Sequence, residues 1–166
     1  MKLPETPTEF WRSCRDWKSD YVPPEFALMA MFALTGGVEP IRAQFVEMKV
    51  DENVTTWHLV AVTEKSLVEV EVAADSEYWT YDHAFEGTPT ITRSRAFPLG
   101  QDCAVDVVAL TQQGVGFNRS DINWDAQYEI NFGGTSVALP KWGRPHNEPA
   151  RTRIQSVADA VLRPGI

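Results

Sequence analysis

The sequence predicts a mainly β domain of the α+β class, in which an antiparallel sheet is bent round a core and capped by a C-terminal helix. From Ile41 onward the apolar residues recur with a period of two, which is typical of half-buried strands. Turn-forming residues separate these segments, and an apolar stripe at helical spacing runs from Ala150 to Leu162. A chain of 166 residues is long enough to bury a core without disulfides or metals, so one folded unit is expected.

Two helices are predicted before the first strand, in an extension that covers residues 1–40. The first helix begins with a capping box at residues 6–9, which has proline at the first helical position. Along this helix, Phe10, Cys14 and Trp17 form one apolar stripe. The second helix is expected to begin at Pro24 or Glu25 and to end at Leu34, and its residues Phe26–Leu34 are apolar on every side, so it must be covered all round. The cover can come from the domain itself or from a second copy of the chain.

In the second case, a homodimer would form through three side chains of this helix. These are Phe26, Met29 and Phe32.

The β domain is expected to span residues 41–166 and to hold seven strands. The predicted segments are Arg42–Lys49, Thr55–Thr63, Leu67–Ala73, Ile91–Leu99, Cys103–Leu110, Tyr128–Phe132 and Val137–Leu139. In the third segment, Leu67–Ala73, the valines are expected to point toward the core and Glu69 and Glu71 toward water. Across from them, Arg93 and Arg95 are expected to form ion pairs with these acids. The valine-rich fifth segment indicates a strand that is buried on both faces.

The last element is an amphipathic helix. Asn147 can cap it, and its first turn holds Glu148 and Pro149. The apolar stripe consists of Ala150, Ile154, Val157, Ala158, Val161 and Leu162. This stripe is expected to pack on the inner side of the sheet.

Seven strands followed by one amphipathic helix resemble the element order of a pleckstrin-homology-like domain. The resemblance covers residues 41–163 and rests on the hairpin of Trp57–Thr63 with Leu67–Ala73, the strand end at Phe97-Pro98-Leu99, the Tyr128–Leu139 hairpin and the final helix. It implies a seven-stranded barrel plugged by the helix. For function, it implies recognition of a protein or peptide by a sheet edge or by the groove beside the helix. A competing fold is a cystatin-like or nuclear-transport-factor-like cone, which usually ends in sheet instead of a helix.

The charge distribution excludes several classes of partner. The formal net charge is −8, which disfavours nucleic acid and anionic membranes. Lipid-binding relatives of the resembled family use several converging cations in the first hairpin. Here residues 49–59 hold Lys49 as the one Lys or Arg beside two acids, so phosphoinositide binding is not expected.

One segment has the composition of a recognition surface. Residues 77–86 combine four aromatic side chains with three carboxylates and a histidine. Tyrosine and tryptophan give large contact areas at low entropic cost, and the acids favour a basic peptide. The candidate binding residues are Tyr78, Trp79, Tyr81, Asp82, His83 and Phe85. The alternative is an extra strand or flap whose rings lie on the barrel.

The main functional hypothesis is therefore a non-enzymatic module that binds or scaffolds a protein or peptide. The alternative is a small-molecule-binding or hydrolytic domain with a pocket inside the barrel that uses His58, Asp82 or His83. Cys14 and Cys103 have no metal-binding spacing, so no cofactor, metal or disulfide is expected. The longest apolar run is too short to span a bilayer, and a cytoplasmic protein is expected.

Overall fold

The computed structural model describes residues 14–15, 21–35, 41–100, 102–113, 123–145 and 147–164. Within them the helices are α1 (Glu25–Thr35) and α2 (Glu148–Leu162). The strands are β1 (Ala43–Asp51), β2 (Val54–Val62), β3 (Ser66–Ala74), β4 (Thr90–Pro98), β5 (Cys103–Gln113), β6 (Asn123–Phe132) and β7 (Thr135–Leu139). The predicted first helix lies outside the described residues, apart from Cys14 and Arg15.

The seven described strands form two antiparallel sheets. Sheet A has the order β1-β2-β3-β4 and sheet B the order β5-β6-β7, so every neighbour in a sheet is also a neighbour in sequence. Among these strands, no pairing joins one sheet to the other. The prediction of a mainly β domain with a C-terminal helix is confirmed, but the strands do not close into a barrel.

Strands β1, β2 and β3 of sheet A are mostly buried on both faces, and each face has its own core, whereas β4 is largely exposed. One core places α1 against side chains of β1, β2 and β3, with Leu28, Trp57 and Val70 all fully buried. The other joins the opposite face of sheet A to sheet B and α2, and includes Phe45 and Ile130. The period-two pattern sets this division, because alternate residues of a strand point to opposite faces.

Burial on both faces overturns the expected orientation of Glu69 and Glu71 toward water. Glu69 is 1% exposed and Glu71 is half-buried, because sheet B and the segment after β7 cover this face of sheet A. The alternation of valine and glutamate correctly predicts two different faces. It does not reveal that the second face is also covered. The expected cross-strand ion pair is confirmed, since Arg95 binds Glu69.

Helix α2 follows the sequence prediction closely. The Asn147 side chain accepts a hydrogen bond from the backbone N–H of Ala150 at 2.9 Å, as an N-cap should. Most of its predicted stripe is buried against sheet B and the second face of sheet A. Leu162 is the exception, with 59% of its surface exposed at the end of the helix.

Neither helix of the described chain is long and apolar enough to cross a membrane.

Candidate functional site

The predicted recognition segment forms the connection between β3 and β4, residues 75–89. Its base is held by Trp79, which is fully buried in the core. The backbone N–H of Trp79 donates to Thr55 Oγ1 at 3.0 Å, and its carbonyl accepts from Trp57 Nε1 at 2.6 Å. The Trp79 indole donates in turn to the carbonyl of Ala84 at 3.3 Å. The first two bonds hold Trp79 on β2, and the third holds the later part of the loop, at Ala84, against the Trp79 ring.

Two further contacts define the course of the loop. The backbone N–H of Tyr81 donates to the carbonyl of Val22 at 2.9 Å, which ties the loop to the segment before α1. A short 3-10 turn covers Tyr81–His83. At Gly87, where φ is +83°, a Cβ would lie 3.0 Å from that of Ser76, so this bend needs glycine. The loop is thus held in one shape by its neighbours.

The predicted binding residues differ in their exposure. Trp79 is an anchor of the loop and presents no surface. Tyr78 is 46% exposed, Tyr81 52% and Phe85 fully exposed. Asp82 and His83 are exposed as well. The structure therefore brings five of the six predicted side chains to the surface of one loop and places the sixth beneath them.

The predicted dimer face of α1 is largely used within one chain. Phe32 is 6% exposed, while Phe26 and Met29 are half-buried. Phe26 also packs against Trp79, with 6.0 Å between ring centroids. This packing supplies the cover that an all-apolar helix needs. The predicted homodimer through this helix stays a prediction.

A buried ionic cluster lies on the second face of sheet A. His58 on β2 is flanked by two carboxylates, with Nδ1 2.8 Å from Glu47 Oε1 and Nε2 3.1 Å from Glu69 Oε1. All three side chains are at most 1% exposed. Two carboxylates around one imidazole satisfy both ring nitrogens as donors, which is the arrangement of an imidazolium. We name His58, Glu47 and Glu69 the buried triad.

The electrostatics of the buried triad follow from these contacts. Burial opposes the charged imidazole, but the hydrogen bonds that the ring donates to Glu47 and Glu69 outweigh it and raise the pKa of His58 above 6.5. For Glu69 too, burial acts against ionisation, yet His58 and Arg95 lower its pKa to about 2. His58 and Glu69 are therefore held in their ionised forms.

The triad also ties the two parts of the molecule together. Glu47 accepts the backbone N–H groups of Lys141 at 2.7 Å and Trp142 at 3.0 Å, both in the segment that links β7 to α2. The Lys141 ammonium binds Glu71 on β3. One carboxylate on β1 thus anchors the segment that leads from sheet B into α2.

The triad is suited to holding structure and poorly suited to catalysis. Each nitrogen of His58 already contacts a carboxylate, and the ring is closed to solvent, so neither nitrogen is left for a substrate. Among the described residues, no group of His, Cys, Asp and Glu is arranged to hold a metal ion.

A second exposed surface lies on sheet B. The family resemblance implies a sheet edge or the groove beside the helix, but none of the predicted binding residues belongs to this surface. Strand β5 pairs with β6 on one side, and no described strand pairs with its other side. Val107, Val108 and Leu110 on this strand are 53%, 55% and 61% exposed, contrary to the predicted burial on both faces. An apolar run without alternation fits a central strand as well as an edge strand beside an apolar surface, so the sequence alone does not separate them.

The exposed apolar side chains of sheet B continue into a groove beside α2. Leu110 lies opposite Ala126 in the ladder and therefore shares a face with Trp124, which is 53% exposed. A groove of about 430 Å³ follows, between β6 and α2. Its lining residues are Trp124, Ala126, Tyr128, Arg151, Thr152, Ile154, Gln155, Ser156 and Asp159. We name Val107, Leu110 and Trp124 the apolar shelf.

The other face of sheet B is acidic at the same edge. Asp106 lies opposite Glu129 in the ladder and accepts a hydrogen bond from Asn131 at 2.8 Å. The three strands of the sheet contain no lysine or arginine. The edge of β5 that pairs with no described strand therefore separates an apolar face from an acidic one.

Comparison of the chain with protein-family models, with curated proteins and with solved structures gives no match.

Proposed function

We propose that this chain is a non-enzymatic, pleckstrin-homology-like module that binds an extended segment of a partner protein along the edge of β5 that no described strand occupies. A four-stranded and a three-stranded antiparallel sheet, followed by a C-terminal helix, agree with the element order of such domains. The observation that carries the proposal is the edge of β5, with which no described strand pairs, beside the apolar shelf. Protein recognition by strand addition uses such an edge for main-chain hydrogen bonds and adjacent side-chain pockets for specificity.

Strand β4, at one edge of sheet A, and strand β5, at one edge of sheet B, differ in how their edges are protected. Natural proteins protect edge strands with charged side chains, prolines or covering segments. Strand β4 carries Arg93 and Arg95 and ends at Pro98. Strand β5 is eleven residues long and its only charge is Asp106. An edge of this length and composition is suited to pairing with another strand.

The two faces beside this edge define the chemistry of the partner. Side chains of an added strand would point alternately to the apolar shelf and to the face that holds Asp106 and Glu129. The first set gains by being apolar and the second by being basic. The partner is therefore an extended segment in which apolar and basic residues alternate. A second copy of β5 fits less well, because pairing it here would bring the acids of two sheets together.

The alternative hypothesis of a hydrolytic domain or a small-molecule pocket has less support. It requires convergent polar groups that are open to a substrate. Of the three residues considered for it, His58 is closed to solvent with both nitrogens occupied, whereas Asp82 and His83 lie on an exposed loop.

Backbone hydrogen exchange with a designed peptide tests the proposal. The probe is an acetylated, amidated peptide of alternating lysine and valine, about eight residues long, which matches a typical strand. Its binding is expected to slow exchange along β5. The same peptide with glutamate in place of lysine should not bind. Leu110→Lys should lower the affinity about tenfold, because it places a charge in the shelf.

The matched control is Ile91→Lys on β4, where the side chain is 52% exposed and also lies on an edge strand. It should leave binding unchanged. The proposal fails if β5 gains no protection, or if the lysine and glutamate peptides bind equally. It also fails if β5 is protected without peptide in a form that light scattering identifies as a dimer, since the occupant would then be a second copy.

A further inference from the structure

We infer that the loop at residues 75–89 is a second interaction surface, which takes an arginine-bearing segment of a basic partner. This surface belongs to sheet A and is separate from the β5 edge. It needs neither the apolar shelf nor the groove beside α2, so the inference does not depend on the proposed function.

The first observation is the contrast between the base of the loop and its tip. The base is fixed by the buried Trp79 and its hydrogen bonds to β2. The tip presents Phe85, the most exposed large apolar side chain of the described residues, together with Tyr81 at 52% exposure. A phenylalanine ring that is wholly in water does not stabilise the fold, because only burial of such a ring lowers the free energy. A rigid base also lowers the entropic cost of binding at the tip.

The second observation is a neighbouring aromatic pair. Tyr21, 39% exposed, lies beside Tyr78 with 5.8 Å between ring centroids and 59° between ring planes. The hydrogen bond from Tyr81 to Val22 holds this segment against the loop. At this pair, a ring of the loop and a ring of the segment before α1 therefore lie side by side, and both are exposed.

Charge decides which ligand this surface fits. Residues 75–89 contain four acids, all exposed, and no lysine or arginine. Of these acids, Asp75 accepts the backbone N–H of Thr88 at 2.5 Å and serves the loop itself. Glu77, Asp82 and Glu86 flank the exposed rings. A surface of aromatic faces and carboxylates attracts cations and repels acidic partners.

Arginine matches this surface better than lysine does. Its planar guanidinium stacks on aromatic faces, while its N–H groups bind carboxylates that lie in the plane of the guanidinium. The guanidinium is also less strongly hydrated than an ammonium. The inferred partner is therefore a flexible segment that presents arginine, and lysine should bind less tightly at the same place.

NMR titration of backbone amides provides the test. The probe is a short acetylated peptide of alternating glycine and arginine, compared with the same peptide carrying lysine or glutamine. The arginine peptide should shift the amides of residues 77–86 saturably at millimolar concentration. The lysine peptide should bind about threefold more weakly, and the glutamine peptide should cause no shift.

Two pairs of variants separate recognition from a change in folding. Tyr81→Ala and Phe85→Ala should each weaken binding of the arginine peptide about three- to tenfold, while Tyr81→Phe and Phe85→Tyr, which keep the ring, should bind as the wild type does. Trp124→Ala, which removes an exposed ring of sheet B, should have no effect. The inference is overturned if the alanine variants bind normally, if the glutamine peptide shifts the same amides, or if no saturable shift occurs.

Discussion

Replacement of Glu47 by glutamine tests how much the buried triad contributes to stability. The change keeps the size of the side chain and removes its charge. In the wild type, Glu47 Oε1 lies 2.8 Å from His58 Nδ1 and 2.7 Å from the backbone nitrogen of Lys141. Its Oε2 lies 3.0 Å from the backbone nitrogen of Trp142. Three donors thus converge on one carboxylate that is 1% exposed.

Glutamine offers one oxygen and one NH₂ group, so at least one of these three donors would face another donor. A buried donor without an acceptor costs about 1–3 kcal/mol. Removing one member of a buried ion pair costs about 3–5 kcal/mol. The two figures overlap, and Glu69 still faces His58, so we expect a loss of about 3 kcal/mol in the free energy of unfolding.

Urea denaturation followed by tryptophan fluorescence and circular dichroism measures this loss. With a slope of about 2 kcal/mol per molar, the midpoint should fall by about 1.5 M. Asp51→Asn is the matched control, because it removes a carboxylate from the exposed pair with Lys49. Its midpoint should stay at the wild-type value. A fall in the urea midpoint of less than about 0.5 M for Glu47→Gln would mean that the triad contributes less to stability than its geometry indicates.

Two other predictions concern His58 and Trp79. Because the pKa of His58 is raised in the folded state, its contribution to stability is fully present below the unfolded value of 6.5 and is lost as pH rises through the folded pKa. The wild-type urea midpoint should therefore decline above neutral pH, and His58→Gln should remove this part of the pH dependence; an unchanged profile would contradict the assigned charge. Trp79→Ala should lower the free energy of unfolding by about 3–5 kcal/mol, because it empties a fully buried ring site, whereas Tyr81→Ala should lower it far less. Thermal unfolding of the two variants checks this, and equal losses would show that Trp79 does not anchor the loop.

The sequence predicts the elements well because each carries a local signal. The predicted strand segments correspond to all seven strands, and the helical stripe with its Asn147 cap corresponds to α2. The apolar segment before the first strand corresponds to α1. In each case a local pattern of apolar residues, with turn-forming residues at its ends, marks the element, and tertiary packing shifts only its bounds.

The arrangement of these elements is harder to predict, since it depends on what covers each face. Glu69 shows the difficulty, because a glutamate that alternates with valines normally faces water. Here it faces His58 and Arg95 beneath the second sheet. No local signal distinguishes a glutamate in water from one whose partners come from strands β2 and β4. Strand β5 shows the opposite case, because its apolar side chains predict burial and yet three of them are exposed.

The candidate binding residues were predictable in part for the same reason. Composition identified the loop at residues 75–89, since aromatic and acidic residues seldom concentrate by chance in a connection. It did not distinguish Trp79, which is buried, from Phe85, which is exposed. The apolar shelf has no such signal in composition, because its residues come together only when β5 and β6 pair.

The position of Glu47 gives the triad a consequence for binding as well as for stability. The segment that it holds, beginning at Lys141 and Trp142, leads directly into α2, which forms one wall of the groove next to the shelf. Gln127 on β6 also donates a hydrogen bond to the carbonyl of Gly143 at 3.0 Å. Loss of the carboxylate should therefore loosen this segment first, while β2 and β3 keep their pairing.

Hydrogen exchange on Glu47→Gln without denaturant tests that order of events. Local opening precedes global unfolding where few buried contacts hold a segment. The amides of Lys141 and Trp142 should exchange much faster than in the wild type, and those of Val70 in the core of β3 should change only by the global loss of stability. If all three amides accelerate by the same factor, the carboxylate stabilises the fold as a whole. In that case the groove beside α2 would keep its shape until the domain unfolds.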